Sequence, residues 1–411
     1  MAIPRADLRS RFQKEKEPWR KKLLAYGGFD FPFMVIVTIL LCLGLVLMFS
    51  ASYVFAFRNE GNPYHFIQRQ ALWAVVGFAV MLLMSKINLN FLRKLAIPGI
   101  VISVVLLVAA LLMSSGEFRR WIRIGGFQFQ PSEIAKIALV LFFAYAMEKF
   151  QKPSYALARH AGLVDRRGRL RRFAVRWWPT LMYTGVLTVL LVLIFLGNHV
   201  SGAIIVGGIG LMMIFIGEQR IPLWVYLVAI GLAVVVVFLV FQNPHILPDN
   251  AARRIIAFQD PMSDPQGANW QTIQSLLAVG SGGWFGQGWG RSIQKHLYLP
   301  EPQNDFVFAI VAEELGFVGS ILILLLFVAL VWRGFMIALH TKERFGALLV
   351  MGIMLQVGLQ TALNIGVVTA VIPNTGIPLP FFSYGGTALV MLMGAMGVVL
   401  AVSRVSREIK K

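Results

Sequence analysis

Residues 33–57 read FMVIVTILLCLGLVLMFSASYVFAF, a run of 25 positions without one charged side chain. A helix that crosses a hydrocarbon core about 30 Å thick needs roughly 20 mostly apolar residues. A soluble surface helix of that length would carry a polar face. Nine further runs of this kind follow, at roughly 66–85, 92–113, 131–148, 178–197, 201–217, 221–242, 305–332, 346–371 and 385–403. The fifth and sixth are separated only by Asn198 to Val200, so they can be read as one broken unit. The first run lies behind a basic tail of about 30 residues and is too long for the h-region of a cleaved signal peptide. The fold class expected is therefore all-α: a polytopic membrane protein of about ten transmembrane helices.

Composition agrees. Of the 411 residues, 57% belong to the set AVILMFWYC and 14% are charged, against about 25% charged in ordinary soluble domains. That excludes a disordered chain, a disulfide scaffold and a typical soluble enzyme. The lone Cys42 cannot form an internal disulfide, and no Cys/His spacing suggests zinc.

A formal charge of +19 is compatible with nucleic-acid binding, but its distribution argues otherwise. With the N-terminus inside, 28 of the 38 Lys and Arg fall in cytoplasmic segments, 9 at the outer side and one, Lys136, within a span. That is a positive-inside signal, and it places both termini in the cytoplasm. The expected organisation is a basic cytoplasmic tail at 1–30, a ten-span membrane domain at 31–405 and a short cytoplasmic tail at 406–411. The Arg-rich stretch 166–172 then faces anionic lipid heads. A large external loop, 243–304, precedes the eighth span, and loops of that length usually carry function. The external segment 372–384 has no charge and three prolines, and is expected to fold back against the membrane or over a cavity.

There is no Walker loop, HExxH or GxSxG. The glycine run 280–290 lacks the Gly-Lys-Ser/Thr ending of a nucleotide loop and reads as a flexible turn beside an interfacial helix with Trp270, Ile273 and Leu277 on one face. Ionisable residues inside spans are more informative, because each costs about 2.5–3.5 kcal/mol at mid-helix. Glu133 and Lys136 stand three apart just after Pro131. They form either a salt bridge at the helix start with Lys136 reaching outward, or a cationic wall for an anionic substrate. Arg69, at the outer mouth of the second span, admits the same two readings. Asp305 opens the eighth span and is either a helix N-cap or a working carboxylate. Glu313 lies eight residues on, within about 80° around a helix. Ala312, Gly316 and Ser320 form a small-residue stripe suited to close helix approach. A polar cavity near the outer face would hold these groups, and a transporter and a membrane-embedded transferase both remain open.

Four segments carry a resemblance. Gln130-Pro131-Ser132-Glu133 with Lys136 resembles the QPSE..K signature of the SEDS family (shape, elongation, division and sporulation). Tyr298 to Phe306 continuing to Glu313-Glu314-Leu315-Gly316, Pro373 to Gly376, and Pro378 to Gly386 agree in order over about 30–405. Asn198-His199-Val200-Ser201-Gly202 is similar to the form found in the division and sporulation branch, FtsW and SpoVE. Asn198 and Asn304 depart from the Pro and Thr usual there. The resemblance implies a peptidoglycan glycosyltransferase that polymerises lipid II at the outer face of the bacterial cytoplasmic membrane. It implies Asp305 as catalytic general base, with Arg69, Glu133, Lys136, Glu313 and Ser383 binding substrate. It implies as ligands lipid II and the undecaprenyl-pyrophosphate-linked glycan, and as partners a class B penicillin-binding transpeptidase and other divisome proteins, not nucleic acid. No resident cofactor is expected, though the pyrophosphate would suit a divalent cation, Mg or Mn. The rival readings are a lipid II flippase and a non-catalytic division scaffold.

Overall fold

The computed structural model describes residues 28–113, 121–124, 127–151, 169–217, 239, 242–243, 249–260, 267 and 269–408. The basic tail, most of the 149–176 loop and nearly all of the expected seventh span lie outside these residues. Eight helices are long and apolar enough to cross a membrane. They are α1 (Phe31–Glu60), α2 (His65–Met84), α3 (Leu89–Met113), the Trp178–Leu196 part of α5 (Arg169–Leu196), α6 (Val200–Gly217), α9 (Val307–His340), α10 (Arg344–Val368) and most of α11 (Gly386–Glu408). Between them, α4 (Pro131–Gln151) coincides with the expected fourth span. It is 21 residues long, about 31 Å of helix, but Glu133, Lys136 and Glu148 make it more charged than the others. The remaining elements are α7 (Asp249–Gln259), α8 (Trp270–Ser281) and a short antiparallel hairpin, β1 (Ile122–Ile124) with β2 (Phe127–Phe129), in which Ile122 faces Phe129.

Why these helices come together is visible in their small residues and their polar ends. Lipid supplies no hydrophobic drive between spans, so close backbone approach and buried polar contacts must do it. A Cβ on Gly397 of α11 would overlap the Met81 carbonyl of α2. One end of the bundle is tied by ion pairs. Asp30 caps α1 by accepting from Phe33 N at 3.1 Å and binds Arg333 of α9 at 3.0 and 2.8 Å, while its own amide donates to Ser403 Oγ of α11. Arg93 of α3 holds Glu148 of α4 bidentately at 2.9 and 2.8 Å and also reaches Glu343 before α10. These clusters sit at the ends of α4, α9, α10 and α11 remote from Glu133, Asp305 and Gly386, so they fix the far ends of the helices that carry the polar cavity.

The expected eighth span differs most. A continuous α9 of 34 residues would measure about 51 Å, longer than any bilayer core. It breaks at Gly316, whose φ of 68° and ψ of −167° only glycine adopts without strain. A break in apolar surroundings exposes amides and carbonyls that cost several kcal/mol each if left bare. The glycine run meets all four. Gln287 N donates to Glu313 O (2.9 Å) and Gly288 N to Glu314 O (3.1 Å), while Phe317 N donates to Gly283 O (2.8 Å) and Val318 N to Trp284 O (3.1 Å). The run is thus a fitted clip, not a flexible turn, and Gly316 breaks a helix instead of merely smoothing its packing. A Cβ at Gly286 would overlap the Glu314 carbonyl, which is why the clip needs glycine there. On α8 the buried face is Gln274, Ser275 and Ala278; Leu277 of the expected apolar face is exposed.

Candidate active site

At the end of the bundle away from the ion-pair clusters lies a cavity of about 820 Å³. Its walls come from the first turns of α2, α4, α6 and α11, the middle of α10, and the segments around 301–305 and 375–385. Pro131 starts α4 because a proline lacks only an amide that a first turn leaves unused. That start puts Glu133 and Lys136 on the cavity wall. Lys136 Nζ lies 2.8 Å from Glu133 Oε2 and donates to Gln360 Oε1 at 3.3 Å. Lys136 is only 2% exposed, so it does not reach outward; the ion pair exists and faces the cavity.

Asp305 also lines the cavity. The half-helix Val307–Leu315 has Phe306 at its N-cap position with no side-chain cap bond, so Asp305 is not the cap that spacing allowed. Its main-chain carbonyl accepts from Asn364 Nδ2 at 2.7 Å. Gly376, at φ 66°, passes so close that a Cβ there would lie 3.3 Å from Asp305 Oδ2. Of the two placements expected for the uncharged segment 372–384, the structure shows the one over a cavity. It is held by Gln360 (Nε2 to Pro378 O, 2.9 Å), Asn364 (Nδ2 to Ile377 O, 2.7 Å) and Gln70 (Nε2 to Ser383 O, 3.2 Å). Ser383 lines the cavity while its Oγ accepts from Leu379 N at 2.7 Å, so it also closes a turn.

Arg69 is exposed, lines the cavity and makes no hydrogen bond or ion pair with the described residues. Arg254 of α7 joins it from another wall and donates to Asn374 O at 3.3 Å. His199, also on the wall, lies 3.2 Å from Gln130 Nε2, and the preceding Asn198 sits at φ 54°. A proline is fixed near −65°, so this turn excludes proline, and asparagine is among the residues that tolerate it.

Glu313 is a correction. It is fully buried and absent from the cavity wall. Its carboxylate accepts from Ser292 Oγ, Ile293 N (2.9 Å) and Gln294 N (3.3 Å). Because Asp305 precedes the helix, the angular relation between the two around a helix does not arise. Glu314, beside it, pairs with Lys295 at 2.7 Å and accepts from Ser50 Oγ at 2.7 Å, with side-chain exposures of 0% for Glu314 and 6% for Lys295. Two buried carboxylates thus fasten the loop 291–295 to the half-helix behind Asp305.

The structure therefore joins Asp305, Arg69, Glu133, Lys136 and Ser383 at one cavity and leaves out Glu313. Sequence reasoning overlooked Arg254 as a wall residue, and Gln360 and Asn364. The amides carried a signal: Gln356, Gln360 and Asn364 recur every four residues inside an apolar span, where polar groups need partners. Among the described residues no group of three or more His, Cys, Asp or Glu side chains could hold a metal ion. The cavity wall thus combines three cations with the carboxylates of Glu133, Glu301 and Asp305, beside apolar surface from Trp73, Ile205, Leu389 and Leu392. Such a site suits a ligand with an anionic group, hydroxyls and a greasy part.

Residues 32–408 match the cell cycle protein family model that covers FtsW, RodA and SpoVE. The chain is 39% identical over 382 residues to stage V sporulation protein E of Bacillus subtilis, covering 92% of this chain and 98% of that one. It is 35% identical over 383 residues to a probable peptidoglycan glycosyltransferase FtsW of Geobacter sp., covering 92% and 97%. Among solved structures, a chain from a peptidoglycan synthase complex that coordinates polymerisation and crosslinking superposes with a TM-score of 0.70 at 26% identity, covering 92% of this chain and 98% of that chain. The rod shape determining protein RodA of Thermus thermophilus gives 0.61 at 25% identity, covering 92% and 97%.

Proposed function

The chain belongs to the FtsW, RodA and SpoVE family of cell cycle proteins, and from that membership we propose how its cavity works. The protein is a peptidoglycan glycosyltransferase of the division and sporulation branch, a multi-pass membrane enzyme. Its ten-span domain, 31–405, lies in the bacterial cytoplasmic membrane with the tails 1–30 and 406–411 inside and the cavity outside, an orientation supported by the charge split. The substrates are lipid II as acceptor and an undecaprenyl-pyrophosphate-linked glycan as donor.

One observation carries the mechanism: Asp305 lies on the wall of the same cavity as Lys136 and Arg69. Asp305 accepts the proton of the acceptor sugar's 4-hydroxyl as that oxygen attacks C1 of the donor sugar. The bond from C1 to the pyrophosphate oxygen breaks, and the pyrophosphate leaves with the electron pair. Lys136, kept in place by Glu133 and Gln360, and the unengaged Arg69 offset the charge that develops there. The apolar wall accommodates the first part of the polyprenyl chain. A divalent cation, Mg or Mn, would suit the leaving pyrophosphate. A class B penicillin-binding transpeptidase would dock on the lipid-facing surfaces of α9 and α10, in keeping with the synthase complex that this chain resembles, and other divisome proteins would join it.

The deciding experiment is polymerisation of purified lipid II by the purified protein, with and without a candidate transpeptidase, comparing wild type with Asp305→Asn. A general base contributes about 10²–10⁴-fold, so polymer formation should fall by that much while expression and partner binding persist. A flippase or scaffold needs no proton abstraction at this position and would lose little. Polymerisation by Asp305→Asn at the wild-type rate would overturn the assignment.

A further inference from the structure

Asn364 touches no part of the cavity, yet it is the residue through which α10 holds both sides of the Asp305 carboxylate. It is fully buried. Both of its hydrogen bonds run from Nδ2 at 2.7 Å, one to the carbonyl of Asp305 and one to the carbonyl of Ile377. The first fixes the backbone from which the carboxylate projects. The second fixes the residue next to Gly376, which abuts Asp305 Oδ2. One turn earlier, Gln360 repeats the arrangement on the same face, accepting from Lys136 and donating to Pro378 O. Two amides thus tie the base and the cation to neighbouring residues of one uncharged segment.

One feature sets this apart from ordinary core packing. Among the described residues Asn364 Oδ1 has no partner, and a buried acceptor left unpaired is a burden that an apolar residue would not bring.

We propose that Asn364 is a positioning residue: by bridging the carbonyls of Asp305 and Ile377 it sets the carboxylate at the distance the acceptor hydroxyl requires. This rests on the reading of Asp305 as general base. A misplacement of about 1 Å can cost about 10²-fold in rate. Loss of both bonds in Asn364→Leu should therefore lower kcat about 10–100-fold with KM for lipid II little changed, because the walls that bind substrate remain.

The test is a double-replacement cycle in the lipid II polymerisation assay, with the thermal midpoint of each purified variant recorded alongside. Asn364→Leu should lower kcat in the wild-type background and have less than about a threefold effect on the residual rate of Asp305→Asn, since there is then no base left to place. Asn364→Ser, which keeps one donor, should fall between wild type and Leu, and it decides the matter if Asn364→Leu fails to accumulate. Losses that multiply in the Asp305→Asn background, or a wild-type kcat in Asn364→Ser, would overturn the positioning role. An Asp305→Asn protein at the wild-type rate would instead overturn the reading of the base itself.

Discussion

Replacing Lys295 by Met tests what holds the half-helix in place. Lys295 Nζ lies 2.7 Å from Glu314 Oε1, and the pair is almost wholly removed from solvent. Removing one member of a buried pair leaves the other charge uncompensated, at a cost of about 3–5 kcal/mol. Ser50 Oγ still donates to Glu314, so the lower end, about 3 kcal/mol, is expected. At about 1.4 kcal/mol per decade that is a rise of about a hundredfold in local opening. The amides to watch are those of Gln287 and Gly288, which donate to the Glu313 and Glu314 carbonyls at the break in α9. Hydrogen exchange in lipid nanodiscs should show both speeding by about that factor in Lys295→Met, while amides of α10 stay protected. Adding Glu314→Gln removes the stranded charge and keeps an acceptor for Ser50, so the double variant should recover most of the protection. Unchanged exchange in Lys295→Met, or a double variant as open as the single one, would refute the idea that this pair fastens the clip.

Other outcomes follow from the cavity. Lys136→Ala should cut lipid II turnover by about 10²–10³-fold while the protein still inserts, and Glu133→Ala should behave likewise; full activity in either would return that residue to a purely structural role. Gly376→Ala places an L-residue at φ 66°, at a cost of about 1–2 kcal/mol, and sets a methyl group 3.3 Å from Asp305 Oδ2. Its kcat should fall further than its thermal midpoint suggests, and an unchanged kcat would show that the carboxylate does not work against that surface. For orientation, an impermeant maleimide applied from outside should label Asp260→Cys and spare Lys342→Cys in a Cys42→Ser background; the reverse pattern would put the cavity on the other side of the membrane.

The spans were legible because lipid solvation leaves a coarse, length-based signature, and 33–57 shows it plainly. Asp305, Glu133 and Lys136 were legible because a charge in such surroundings demands a reason. Glu313 satisfied the same test and yet serves structure, since its three donors come from Ser292, Ile293 and Gln294 on a loop whose path no periodicity reveals. Asn364 was overlooked for the opposite reason: a neutral amide in a span costs less than a charge, so it stands out less, although its two bonds join the backbones of Asp305 and Ile377. The glycine run was misjudged as loose because glycine serves both loose chains and tight ones, and only the partner backbone at Gly316 distinguishes the two.

The break at Gly316 also bears on how the chain comes to be built. The clip, 282–290, precedes α9 in the chain, so ribosomes release it before the helix it completes. When 307–340 emerges it is one apolar run, and hydropathy by itself leaves open which stretch of it settles in the membrane. A loop that offers two donors and two acceptors at the break favours one answer, with the first nine residues turned aside and the rest crossing. The position of Asp305 is thereby tied to a segment some twenty residues upstream of it.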